Sequence, residues 1–246
     1  VISPDLAEAL RRVETVFGGM TAKPGDGCLY CYGDEELALL AVPRAPLSDA
    51  FVRIAFHEVP SHFVDHPAVL RRLLPPFLAY VADGRFDGMG YLPTGLGRTA
   101  WQEWPREQAD AVRGFLDVWW RETLRVPDPP YGVQAVFELC SDMYGSVTPL
   151  LDHWASRRPG GVEDRHLAAR AESWIDDLLS DDASLIAPWA AAPDARGPVA
   201  ELQAWLVEQA PSRLAGHPLL ARKVALLALP PEERWIAYSE MVAETS

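Results

Sequence analysis

Cys28 and Cys31 stand in the spacing Cys-x-x-Cys, and three of the six histidines, His57, His62 and His66, follow within a short stretch. Two thiolates at that spacing in a turn can both face one tetrahedral ion, and zinc prefers sulfur and imidazole ligands. The expected metal set is therefore Cys28, Cys31, His57, His62 and His66, with zinc as the ion. His62 and His66 are four residues apart, which on a helix would place both on one face. Pro60 and Pro67 argue against a continuous helix there. The same cysteines also suit thiol redox chemistry, because Cys31 lies just before a helix start near Asp34, and a helix N-terminus lowers a thiol pKa. A thioredoxin-type reading requires a βαβ context that the chain lacks.

Other chemistries fail on spacing. His57-Glu58 is followed by a histidine at position 62, one residue too far for the two-histidine helical clamp of a zinc peptidase, and Pro60 interrupts the turn. Gly90 and Gly95 are spaced as in a phosphate-binding loop, yet Leu96 and Gly97 replace the required Lys and Ser or Thr. No Gly-x-Ser-x-Gly elbow is present. Cys140 sits at helical spacing on an apolar face, the setting of a buried structural thiol. Asp176-Asp177 and Asp181-Asp182 read as solvated charge at a helix end. No residue is assigned a catalytic role.

The elements that must position these residues are helices. Ser3-Pro4-Asp5 combines a hydroxyl cap, a proline at the first helical position and an acid in the first turn. Leu6, Leu10, Val13 and Phe17 follow at helical spacing, and Gly18-Gly19 supply the stop. Asp34 is expected to cap a short helix from Glu36 to Val42, and Ser48 another from Asp49 to about His57. Asp65-His66-Pro67 opens a helix whose stripe of Val69, Leu70, Leu73, Leu74, Phe77, Leu78 and Val81 should be buried, with Pro75-Pro76 kinking or splitting it. Pro105 begins the longest helix, through about Leu124. Six more follow near 133–144, 149–156, 163–179, 198–209, 218–229 and 231–243. Proline at many helix starts accounts for 22 prolines in a helical chain. Strand patterns are nearly lacking. The expected fold is all-α, a multi-helix bundle of roughly ten helices with stacked helical hairpins in the C-terminal half. Pro127-Asp128-Pro129-Pro130 suggests two parts, 1–126 and 131–246. They are an N-terminal half with the Cys-x-x-Cys loop and a C-terminal half, or else one continuous domain.

Charge and composition narrow the partners. The formal net charge is −13 over 246 residues. Nucleic acid binding relies on clustered Lys and Arg, whereas the two lysines here, Lys23 and Lys223, are far apart and the arginines are dispersed. No stretch approaches the roughly 20 apolar residues of a membrane span. Nucleic acid and membrane are thus not expected partners, and a protein partner is. Three cysteines do not make a disulfide framework. Asn is lacking and Arg far outnumbers Lys, a bias that suits a GC-rich bacterial genome. With no membrane span and no disulfide framework in the pattern, a cytoplasmic setting is expected.

Cys28 to Cys31, Leu74-Pro75-Pro76-Phe77-Leu78 and Phe115-Leu116-Asp117-Val118-Trp119-Trp120 together resemble a family of bacterial all-helical proteins. That family has an N-terminal Cys-x-x-Cys and no assigned activity. The resemblance covers about residues 1–125 and implies a helical fold and a shared role for the cysteine pair. The chain is also similar to the helical peroxidases related to alkylhydroperoxidase, but only in its cysteines: Glu35 stands where those carry the relay histidine. The first functional expectation is a non-enzymatic helical interaction or scaffold protein with an acidic surface, such as an immunity-type partner of a basic protein. The alternative is a zinc-binding or thiol-redox protein using the Cys-x-x-Cys pair. Nothing in the sequence specifies the oligomeric state.

Overall fold

A computed structural model describes residues 2–23, 28, 31–57, 60–85, 94–181 and 196–245. The fold is all-α: eleven α-helices and no strand among the described residues. No described helix is long and apolar enough to cross a membrane. The chain divides into two compact units, Val1–Trp120 and Arg121–Ser246.

The first unit holds α1 (Pro4–Phe17), α2 (Asp34–Leu39), α3 (Asp49–Phe56), α4 (His66–Ala82) and the start of α5 (Arg106–Arg125). Three of these begin on side-chain caps. Ser3 Oγ accepts from Leu6 N at 3.0 Å, Ser48 Oγ from Phe51 N at 3.1 Å, and Asp65 Oδ1 from Ala68 N at 3.0 Å, each satisfying an amide that has no partner within its helix. Helix α2 begins two residues earlier than its expected span and ends at Leu39, with Gly33 rather than Asp34 at the cap.

Helix α4 packs against α1 and α3 and forms the centre of this unit. It runs unsplit through Pro75 and Pro76. A proline inside a helix costs about 3 kcal/mol. Against the two of them stand seven buried side chains, Val69, Leu70, Leu73, Leu74, Phe77, Leu78 and Val81, each contributing roughly 1.5–3 kcal/mol on burial. Tertiary burial therefore keeps the helix from splitting at the two prolines. Trp101, Trp119 and Trp120 are buried and act as core packing.

The second unit holds α6 (Val133–Tyr144), α7 (Thr148–Ala155), α8 (Val162–Leu179), α9 (Arg196–Arg213), α10 (Pro218–Ala225) and α11 (Pro231–Thr245). Here α9 packs on α7, α8 and α10, and α8 also meets α10 and α11. The expected helix 218–229 is α10 followed by a tighter 3₁₀ turn at Leu226–Ala228.

Two buried arginines staple these helices. Arg213, the last residue of α9, donates to Asp164 Oδ1 at 2.8 Å, to the carbonyls of Ala155 and Arg157 at 2.9 and 2.8 Å, and to Gln209 Oε1 at 3.2 Å. It thereby caps the end of α7, where carbonyls have no helical partner. Asp164 Oδ2 in turn accepts from Gly160 N at 2.6 Å. Arg234 of α11 pairs with Asp181 Oδ1 at 2.5 Å, and Gln203 donates to the same oxygen at 2.6 Å. Asp181 is thus an anchor and not merely solvated charge. Asp182 lies outside the described residues.

Glu138 of α6 is buried and accepts from Gln134, whose own side-chain oxygen accepts from Trp174 Nε1 at 2.8 Å. Burial pushes the Glu138 carboxyl above its ordinary value of 4.5, while the Gln134 hydrogen bond and the Arg170 charge act in the opposite direction. An acid whose pKa rises on folding contributes stability that is complete below its unfolded pKa and is lost as pH climbs through the folded one. Glu138→Gln removes that titration. Its stability relative to the wild type is expected to increase as pH rises from the ordinary carboxylate range towards neutral, read from denaturant melts at each pH. A difference that does not move with pH would contradict this.

Candidate metal centre

The loop that carries the cysteines is tied at its base, where Ala22 N donates to Leu40 O at 2.9 Å. At its far side Cys28 O accepts from Cys31 N at 3.0 Å and from Tyr32 N at 3.1 Å, closing one tight turn. That turn brings the two thiols to the same side, as a Cys-x-x-Cys ligand pair requires.

The third member comes from a 3₁₀ turn, Pro60–His62, between α3 and α4. Cys31 Sγ lies 3.7 Å from His62 Nδ1. Cys28, Cys31 and His62 each offer a ligand atom, and the three atoms lie within 4.8 Å of one another. Cys28 and His62 are half-buried and Cys31 is exposed. Both cysteines are thiols, with no disulfide between them.

What aligns the two segments is aromatic. Tyr32, next to Cys31, is buried between Phe51 of α3 at 5.3 Å and Phe63 at 5.5 Å between ring centroids. Phe63 is next to His62. The residues that follow Cys31 and His62 thus form a stacked pair, and the stack sets Cys31 opposite His62. Tyr32 and Phe63 were not among the expected site residues. The visible hint in the sequence was an aromatic directly after a ligand in both Cys31-Tyr32 and His62-Phe63.

The other two expected ligands serve packing. His57 follows the last residue of α3 as its C-cap, its ring 5.7 Å from that of Phe77. His66 is the first residue of α4, buried and stacked on Phe63 at 6.0 Å. A Cβ on Gly95 would stand 2.7 Å from the His66 ring, so only glycine allows this approach while Gly95 N donates to Phe56 O at 2.7 Å. Of the five expected ligands, the structure brings three into one group. Glu58, Gly90 and the two residues between the cysteines lie outside the described residues, so the peptidase and phosphate-loop spacings are not described structurally. Cys140 is fully buried on α6.

The arrangement suits a thiophilic ion. Zinc distances of about 2.3 Å to sulfur and 2.0–2.1 Å to nitrogen, at tetrahedral angles, separate a sulfur and a nitrogen by about 3.6 Å. The observed 3.7 Å between Cys31 and His62 is close to that value. The acidic first turn of α2, Asp34, Glu35 and Glu36, follows directly in sequence and adds negative charge that favours a cation.

With an all-α fold and a clustered Cys-Cys-His set described, comparison with known proteins adds no relative: no protein-family model, curated protein or solved structure matches the chain. The likeness over residues 1–125 is therefore one of motifs alone.

Proposed function

We propose that this protein binds a thiophilic divalent ion, zinc, through Cys28, Cys31 and His62. The carrying observation is that three soft-to-borderline ligand atoms converge within 4.8 Å, although Cys31 and His62 are 31 residues apart in the chain. A lone thiol–imidazole hydrogen bond accounts for the Cys31–His62 distance. It does not account for Cys28 Sγ in the same small space. Three protein ligands leave the fourth position of a tetrahedral ion to a group outside this set.

The test loads reduced protein with zinc, removes unbound metal and combines elemental analysis with thiol titration. One zinc per chain is expected, with the Cys28 and Cys31 thiols protected until a chelator is added. Zinc lost on desalting, with thiols equally reactive before and after chelation, would count against the site.

A second reading, the acidic interaction scaffold, is favoured by α11. Ile236 is 64% exposed and Val242 is 42% exposed, on a helix that also carries Glu232 and Glu233 in its first turn. Exposed apolar side chains beside acids suit a partner that is apolar at its centre and basic at its rim. Capture from a host extract should recover a stoichiometric basic protein with the wild type and lose it with Ile236→Asp. Equal recovery by both would remove α11 as the surface.

A further inference from the structure

The two thiols differ in their surroundings, and the difference gives the pair a direction. Cys31 is exposed and 3.7 Å from an imidazole nitrogen, whereas Cys28 is half-buried. A turn closed by an i to i+3 hydrogen bond holds its end Cα atoms within about 7 Å, and disulfides span Cα separations of about 4.4–6.8 Å. The pair can therefore close on itself without moving the elements around it.

We infer that the metal-free pair carries out thiol–disulfide exchange with a small or peptide disulfide, with Cys31 as the attacking thiol and Cys28 as the resolving one. The exposed Sγ of Cys31 attacks one sulfur of the external disulfide, and its proton passes to His62 Nδ1. A new S–S bond forms between Cys31 and that sulfur, the external S–S bond breaks, and the first external thiolate takes the proton back from His62 and leaves as a thiol. Cys28 Sγ then attacks Cys31 Sγ, the Cys28–Cys31 bond forms as the mixed disulfide breaks, and the second external sulfur leaves as a thiol with the proton given up by Cys28. In balance, two protein thiols are oxidised to the Cys28–Cys31 disulfide and one external disulfide is reduced to two thiols. This order reverses the usual expectation that the first cysteine of such a pair attacks. It follows here from exposure and from the position of His62. A bound ion would occupy both sulfurs, so metal and exchange exclude one another. That coupling rests on the zinc-binding reading, and the exchange itself does not.

The experiment uses the full chain, reduced and stripped with a chelator, and dithiodipyridine as the disulfide. The wild type should release two thiopyridines per chain, retain no label and lose the mass of two hydrogens. Cys28→Ser should release one and keep one thiopyridine on Cys31. Cys31→Ser should react at least about tenfold more slowly, because the half-buried Cys28 is the less accessible thiol. Cys140, fully buried, should stay unmodified in the folded protein. Equal rates for the two single variants, or a wild type that keeps its label, would overturn the proposal. Zinc-loaded wild type should react at least tenfold more slowly than the stripped protein. If the loaded protein holds zinc yet reacts as fast, the coupling falls and the exchange stands. If no zinc is held while the Cys31-first order persists, the metal reading alone falls.

Discussion

Asp164→Asn is expected to destabilise the second unit by about 3–5 kcal/mol, because it leaves the guanidinium of Arg213 charged and buried without a counter-ion. The Asp164 and Arg213 side chains are only 6% and 2% exposed, so water cannot take over for the missing charge. Arg213→Met should cost at least as much, since the carbonyls of Ala155 and Arg157 lose a donor as well. For a chain of this size such losses lower the melting temperature on the order of 10 °C. The double replacement Asp164→Leu with Arg213→Met should recover part of the loss, because burying neither charge avoids the desolvation that the pair must otherwise offset. Thermal and denaturant melts of the three variants test this. A single variant within about 1 kcal/mol of the wild type would contradict the buried staple.

The second large effect concerns the metal. Cys31→Ser is expected to weaken zinc binding by at least about a hundredfold, since losing even a group that only supports a ligand costs 10–100-fold. His57→Ala should leave the affinity within about threefold, because His57 is outside the ligand group. Competition against a chromophoric chelator measures both. A His57→Ala loss as large as that of Cys31→Ser would restore the wider five-residue set and displace the three-residue one.

Much of the fold was legible because its determinants are local. Ser3, Ser48 and Asp65 cap the helices that follow them, and a cap needs only neighbours within one turn. Local rules left open whether α4 would kink or split at Pro75 and Pro76; it runs unsplit, held by contacts with α1 and α3 that no window on the sequence contains. The site was half legible for the same reason. Cysteine spacing is a local signal, and it marked Cys28 and Cys31. Choosing His62 over His57 and His66 depends on Tyr32 stacking on Phe63, a contact between separate segments. The Arg213–Asp164 staple spans 49 residues, and nothing in either local pattern announces it.

The zinc-binding reading turns on two sulfurs and one imidazole sharing a single ion. X-ray absorption at the zinc edge, on reduced protein loaded one to one, reads that shell directly. Two sulfur neighbours at about 2.3 Å, with nitrogen or oxygen at about 2.0–2.1 Å, are expected. A shell of nitrogen and oxygen only would contradict it.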